Sequence, residues 1–212
     1  MCRVLEAYLE DRPDLALELL GGYPRRDQEM LLRLLPIVAR VDKGGLFSGA
    51  ASDEERVNVL ETLRALVQEM QVEAPLVITR IAFCREIHSF GRGELYPSNH
   101  FRAGDRAAVY LEIENLADEK TQEGRFIARL ASTLTIQRGE RVIKSLPVQN
   151  LPDWSWSPRN DHFSVIRFQF PRDLEPGLYL LTVTVTDEST GRQASKQLPF
   201  RIASVSTSSK SP

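Results

Sequence analysis

The sequence predicts an α+β protein in which a small helical region precedes an antiparallel β-sandwich of seven or eight strands. Up to residue 73, apolar residues recur three and four positions apart, as on one face of a helix. After Ala74-Pro75 they alternate with polar residues, as in half-buried strands, and turn-forming residues separate the runs. We therefore divide the chain into a helical region, 1–73, and a sandwich domain, 75–203.

Three or four short amphipathic helices are expected in the first region. Pro13 and Pro24 are placed to begin helices, since proline suits the first helical turn. Pro36 falls inside an apolar stripe, where it removes a hydrogen bond and predicts a kink or a short break.

Ser52 and Glu55 form a capping box, which predicts the start of another helix. The apolar positions of this helix fall on one side, which we expect to be buried. They are Leu60, Leu63, Val67 and Met70.

The strands of the sandwich are separated by turn formers and not by helices, which favours antiparallel pairing. We predict strands at 76–83, 86–90, 107–115, 126–137, 142–146 and 162–170, and a hairpin within 176–202. One face of the strand at 126–137 should line the core. Its residues are Phe126, Ala128, Leu130, Ser132, Leu134 and Ile136.

The hairpin is the clearest pattern of the chain. Pro176 and Gly177 supply turn chemistry before it, and Tyr179 begins an alternating apolar face. The stretch Leu174-Glu175-Pro176-Gly177-Leu178-Tyr179, with the alternating strand after it, resembles the end of immunoglobulin-like and fibronectin type III-like sandwiches. This resemblance covers 75–203 and implies that the Tyr179 hydroxyl bonds back to the preceding chain. The buried tryptophan and paired cysteines of antibody domains are absent, so a true immunoglobulin domain is not expected.

A second resemblance spans most of the chain and concerns an uncharacterised group of bacterial proteins of planctomycete type. It implies no activity. It rests on the stretches Asp27-Gln28-Glu29, Leu31-Leu32-Arg33-Leu34-Leu35-Pro36, Phe83-Cys84-Arg85-Glu86-Ile87, Phe101-Arg102-Ala103-Gly104-Asp105 and Tyr110-Leu111-Glu112.

Composition narrows the expected partners. A formal net charge of -2 creates no positive electrostatic potential that would attract nucleic acid. No apolar run is long enough to span a bilayer. Acidic residues near the start predict no signal peptide, so we expect a soluble, cytoplasmic chain. If the natural protein starts further upstream, an extracytoplasmic location is the alternative. Cys2 and Cys84 predict no disulfide framework. Residues 204–212 should form a disordered tail.

Cys84, Glu86 and His88 alternate along a predicted strand, so they could face one way and bind zinc. In the alternative interpretation, Cys84 is a core residue and the other two face water. A nucleophilic dyad of Cys84 with His100 or His162 is a further possibility.

An acidic patch could bind calcium or could simply be a solvated face. It consists of Asp105, Glu112, Glu114, Asp118 and Glu119. Gly91-Arg92-Gly93 lacks the helix start of a phosphate-binding loop, and we interpret it as a turn.

Trp154 and Trp156 stand two apart in a predicted loop and could present both indoles to one side, with Arg159 as a charged anchor. Alternatively, the rings cover the open edge of the sandwich or the joint with the helices. We therefore predict a non-catalytic, protein-binding module without a cofactor. The alternatives are a carbohydrate-binding module using the same tryptophans and a metal-dependent enzyme at Cys84, Glu86 and His88.

Overall fold

The computed structural model describes residues 2–47, 51–149, 152–159 and 162–204. The chain divides into two compact units, Met1–Met70 and Gln71–Pro212. Helices come first and strands follow, so the predicted α+β class is confirmed. The predicted disordered tail lies, from residue 205 onward, outside the described residues.

The helices within these ranges are α1 (Cys2–Leu9), α2 (Pro13–Leu20), α3 (Arg25–Asp42) and α4 (Asp53–Glu73). Helices α1 to α3 share a small apolar core made of Val4, Leu20, Leu31 and Leu35. In the part of the chain that the structure describes, none of the helices has the length and apolarity needed to cross a membrane.

Local sequence signals explain where the helices begin. Pro13 occupies the first helical turn of α2. Before α4, the Glu55 amide donates to Ser52 Oγ at 3.2 Å and the Ser52 amide donates to Glu55 Oε2 at 2.9 Å, which confirms the predicted capping box. Of the kink or short break predicted at Pro36, the break is wrong, because α3 runs through this position. The buried Leu31 and Leu35 lie in the turn just before that position, so their packing compensates for the lost hydrogen bond.

The predicted burial of the α4 stripe is not observed. Leu60, Leu63, Val67 and Met70 are exposed, whereas Leu66 is buried. The apolar core of this unit is built from α1 to α3 instead, so the stripe of α4 is not part of it.

The second unit is built from strands. They are β1 (Val77–Ser89), β2 (Arg92–Leu95), β3 (His100–Phe101), β4 (Arg106–Glu114), β5 (Glu119–Lys120), β6 (Phe126–Ala128), β7 (Leu130–Arg138), β8 (Arg141–Gln149), β9 (Asp153–Ser155), β10 (His162–Gln169), β11 (Gly177–Asp187) and β12 (Gln193–Ile202).

These strands form three sheets. The first has the order β10-β4-β1-β2, the second β3-β12-β11-β7-β8, and the third is a small sheet, β5-β6-β9. Pairing is antiparallel except between β3 and β12. Of the seven long strands, the first, second and fifth share one sheet and the third, fourth, sixth and seventh share the other, as in immunoglobulin-like sandwiches.

The core lies between the two larger sheets. Val109, Leu111 and Ile113 of β4 are buried in the same apolar cluster as Leu181 and Val183 of β11, so both strands direct alternate residues inward. Each fully buried side chain of this kind stabilises the fold by roughly 1.5–3 kcal/mol.

Two predicted strands differ from the observed ones. The segments 76–83 and 86–90 are joined in a single strand, β1. The strand predicted at 126–137 is interrupted at Arg129, so β6 and β7 belong to different sheets. Most of the predicted face is confirmed, because Ala128, Ser132, Leu134 and Ile136 are buried, whereas Phe126 and Leu130 are only half-buried. Ile127, outside the predicted face, is also buried.

Tyr179 fixes the entry of the chain into β11. Its hydroxyl donates to the Glu175 carbonyl at 2.8 Å, and its ring stacks on Phe200 with 5.5 Å between centroids. Gly177, at the start of the strand, has a φ of 154°, a conformation that favours glycine. Pro176 precedes it in the turn.

Replacing Tyr179 with Phe removes this hydroxyl and keeps the ring. We expect the free energy of unfolding to fall by about 1 kcal/mol, because a partly buried hydrogen bond to the Glu175 carbonyl is lost. Urea denaturation measures the change. Tyr96→Phe is the matched control, since Tyr96 packs against the same core and its hydroxyl has no hydrogen bond among the described residues. An equal decrease in the free energy of unfolding in both variants would contradict the role of the Tyr179 hydrogen bond.

Asp187 closes the hairpin between β11 and β12 and is completely buried. Its Oδ2 accepts from the Ala117 amide at 3.1 Å and from Arg192 Nη2 at 2.9 Å. Its Oδ1 accepts from the Ser189 hydroxyl at 2.6 Å and from the Thr190 amide at 3.4 Å. The carboxylate therefore has partners on both oxygens.

These contacts decide the charge of Asp187. Burial alone raises its pKa, but the hydrogen bonds, led by those from Ser189 and Thr190, outweigh burial, so the pKa lies below its ordinary value. Arg192 also donates to the carbonyls of Asn115, at 2.7 Å, and of Gln71, at 2.9 Å. The ion pair thus ties the hairpin to two other segments of its unit.

Asp187→Asn should lower the free energy of unfolding at pH 7 by about 3 kcal/mol, because it leaves Arg192 without its buried partner. Since the folded pKa is depressed, the stabilisation is present above the unfolded aspartate pKa of about 3.9 and is lost as pH falls below it. The difference between wild type and variant, measured by urea denaturation from pH 7 to pH 2, should shrink in that acidic range. A difference in the free energy of unfolding that does not change with pH would contradict the depressed pKa of Asp187.

Candidate binding surface

The two tryptophans lie on and beside an edge strand, so the predicted loop is wrong at this point. Strand β9 pairs with β6, and Trp154 stands opposite Ile127. Strand β9 is held by backbone hydrogen bonds to β6. It lacks the alternation of apolar and polar residues by which a strand is recognised in a sequence, and for this reason the sequence predicts a loop. Leu151, Asn160 and Asp161, which lie near this segment in the chain, are outside the described residues.

The two indoles differ in exposure. Trp154 is 52% exposed and lies beside the buried Ile127, so half of its surface serves packing. Trp156 lies just beyond the strand and is 81% exposed. A half-exposed ring and a largely exposed ring are therefore combined in a segment of three residues.

Arg125 joins the two rings. Its guanidinium carbon lies 5.4 Å from the Trp154 ring centroid and 5.6 Å from that of Trp156, within cation–π distance of both. A tight turn holds it, because the Thr121 amide donates to the Arg125 carbonyl at 2.7 Å. The Glu123 carboxylate accepts from its guanidinium. We call Trp154, Trp156 and Arg125 the indole surface.

Sequence reasoning missed Arg125, because the pairing of β6 with β9 brings it to the tryptophans from about thirty residues away in the chain. The signal that could have found it is the short run of turn formers before Phe126, which predicts a hairpin next to that strand.

Arg159 is not the free anchor that the sequence suggested. Its guanidinium donates to the Asp153 carboxylate, and its amide donates to Asp118 Oδ2 at 2.8 Å. Its carbonyl accepts from Nε2 of the buried His162 at 3.0 Å. Arg159 therefore secures the segment that carries the tryptophans, and its charge is already paired.

The structure does not bring Cys84, Glu86 and His88 onto one face. A register shift between Cys84 and Glu86 breaks the alternation of β1, as β-bulges do. Cys84 is buried, whereas the side chains of Glu86 and His88 are at least half exposed. In the described ranges, no three His, Cys, Asp or Glu side chains are grouped so that they could hold a metal ion.

The proposed dyad is not assembled either. Cys84 and His100 belong to different sheets, and His162 stands opposite Ile113 whereas Cys84 stands opposite Ala108. Burial raises the pKa of the Cys84 thiol, and the positive charge of Arg167 offsets this only in part. The thiol is therefore protonated at neutral pH and is a poor nucleophile.

Four of the five acidic residues, all except Glu114, have local partners within the described part of the chain. Asp105 accepts from the Arg102 amide at 2.7 Å, and Glu112 accepts from the Tyr110 hydroxyl at 3.0 Å. Asp118 holds Arg159, Glu119 pairs with Arg129, and Glu114 is exposed. The Gly91 amide donates to Tyr110 in the turn between β1 and β2, so Gly91-Arg92-Gly93 serves the hairpin.

Comparisons with known proteins give only distant similarities. No protein-family model matches the chain, and no curated protein matches it, so the resemblance to the planctomycete-type group is not supported. The C-terminal domain of Wzt is 13% identical over 62% of this chain and 75% of that chain, with a TM-score of 0.37. An immunoglobulin-like protein from Pseudomonas aeruginosa is 13% identical over 61% of this chain and 98% of that chain, with a TM-score of 0.33.

A Pseudomonas fluorescens alkylpurine DNA glycosylase, AlkC, in a structure with DNA containing an abasic site analog, is 12% identical over 94% of this chain. The match spans 47% of that chain, with a TM-score of 0.34. At TM-scores this low, these similarities support no argument about activity or partners.

Arg125→Met tests the indole surface, because it keeps an apolar side chain and removes the charge. We expect the free energy of unfolding to fall by about 1 kcal/mol, since two cation–π contacts are lost. Acrylamide quenching of tryptophan fluorescence should also increase. The chain has no tryptophans other than these two, so the fluorescence reports on this surface alone.

Arg129→Met is the control, since Arg129 pairs with Glu119. Equal quenching in wild type and Arg125→Met would show that the guanidinium does not cover the rings.

Proposed function

We propose that the sandwich is a non-catalytic protein-binding module and that the indole surface is its contact site. The observation that carries this proposal is the 81% exposure of Trp156 beside a half-buried Trp154 and a guanidinium positioned over both rings. Tryptophan and arginine are the residue types most enriched among the energetic hot spots of protein interfaces.

The edge of the small sheet adds to the proposal. Strand β9 is the terminal strand of the order β5-β6-β9, so one of its sides carries backbone groups that no strand of this sheet pairs with. An extended segment of a partner can add to such an edge, with backbone hydrogen bonds giving affinity and side-chain contacts giving specificity. The indole surface would then supply the side-chain contacts.

A protein fits this surface better than a sugar does. Sugar binding by tryptophan needs open ring faces, and Arg125 covers part of both indoles. Glu123 occupies one amine of the Arg125 guanidinium, and the other N–H groups can donate to a carboxylate or carbonyl of a partner protein. The formal net charge of -2 gives no reason to expect nucleic acid.

The experiment is affinity capture from lysate of the source organism with the intact chain and with a Trp154→Ala, Trp156→Ala variant, followed by an affinity measurement on the purified partner. We expect the variant to weaken binding by about thirtyfold or more, because the loss of a single hot spot costs about 2 kcal/mol.

Val142→Ala is the matched control, because Val142 is an exposed apolar residue on β8, in another sheet. Affinity that is unchanged in a folded double variant would refute the indole surface. Quenching of tryptophan fluorescence by soluble glycans would instead favour the carbohydrate alternative.

A further inference from the structure

A depression on the first sheet of the sandwich includes none of the residues of the indole surface. It is a pocket of about 410 Å³, within the size range of small-molecule sites. Its lining includes the side chains of Arg85, Arg106 and Arg167 together with Cys84 and Ala108.

The strand register explains why the pocket exists. Arg167 of β10, Ala108 of β4 and Cys84 of β1 stand opposite one another across three adjacent strands. Ala108 and Cys84 are small, so they leave a depression between longer side chains. Arg106 is two residues from Ala108 on β4 and therefore shares its face of the sheet.

The third arginine is held in place by an aromatic ring. The guanidinium carbon of Arg85 lies 5.3 Å from the ring centroid of Tyr96, which also lines the pocket. This cation–π contact orients Arg85 without neutralising it.

The charges of the lining are uncompensated. No aspartate or glutamate belongs to the lining within the described part of the chain. Across those same residues, none of the three guanidiniums has an ion-pair or hydrogen-bond partner. Other arginines of this domain, such as Arg138 and Arg192, are paired with carboxylates. Three like charges around one depression repel each other, and an anion would relieve that repulsion.

We infer that this pocket binds the phosphate group of a small phosphorylated molecule, with Arg85, Arg106 and Arg167 as its ligands. Guanidinium groups match phosphate oxygens with paired hydrogen bonds, and a phosphate dianion offsets more of the three charges than a carboxylate does. The apolar floor of Cys84 and Ala108 leaves room for the organic part of the ligand.

A small molecule fits better than a nucleic acid. Binding to a nucleic acid backbone needs cations spread along successive phosphates, whereas these three arginines surround one pocket. The inference does not depend on the indole surface and stands if that proposal fails.

Phenyl phosphate is the probe, because it joins a phosphate to a small apolar group, and isothermal titration calorimetry at physiological ionic strength measures its binding. Arg106→Gln with Arg167→Gln is the pocket variant. The control is Arg141→Gln with Arg201→Gln, which changes the net charge equally at exposed arginines on other strands.

We expect wild type and control to bind phenyl phosphate within about twofold of each other, and the pocket variant to bind at least about tenfold more weakly. Inorganic phosphate should compete, and phenol should not. Circular dichroism establishes that the variants are folded, and Arg85→Gln provides a second test should the double variant lose stability.

Absence of saturable binding to wild type, or an equal loss in pocket and control variants, would overturn the inference. So would tight binding of a single-stranded oligonucleotide or a phosphopeptide by a protein that does not bind phenyl phosphate.

Discussion

A carboxylate completely removed from water is costly unless hydrogen bonds and an opposite charge compensate it, and Asp187 has both. The hairpin of β11 and β12 depends on this compensation, because the amides of Ser189 and Thr190 in its turn donate to the Asp187 carboxylate. Strand β11 then pairs with β7, and its inward residues meet those of β4 across the core. The largest sheet is therefore organised around one buried ion pair, that of Asp187 with Arg192.

The sequence was informative wherever local chemistry decides the structure. Ser52 and Glu55 predict the start of α4, and the alternation from Tyr179 to Val185 predicts the central strand, because each signal involves neighbouring residues. It was uninformative where partners are distant. The interruption at Arg129, the bulge after Cys84 and the meeting of Arg125 with the tryptophans all depend on which strands pair, and a single sequence does not record that choice.

Arginine is used in three ways in the sandwich domain. Arg192 is paired with a buried carboxylate and serves the fold, and Arg159 secures a strand segment in the same manner. Arg125 is positioned over two exposed rings. Arg85, Arg106 and Arg167 surround a pocket without a carboxylate in its described lining. The three pocket arginines are not paired with any described carboxylate and remain available to an anion, whereas Arg125 is bonded to Glu123 and contributes to its site by its contact with the two rings.

The central claim is that the indole surface contacts a protein partner, and site-specific photo-crosslinking tests it most directly. A benzophenone amino acid would replace Trp156 in one protein and Val142 in another, because both positions are exposed and Val142 lies on β8, in a different sheet from the strand next to Trp156. Our account predicts a covalent adduct with a single protein from position 156 and not from position 142. The same adducts from both positions, or an adduct only from position 142, would contradict it.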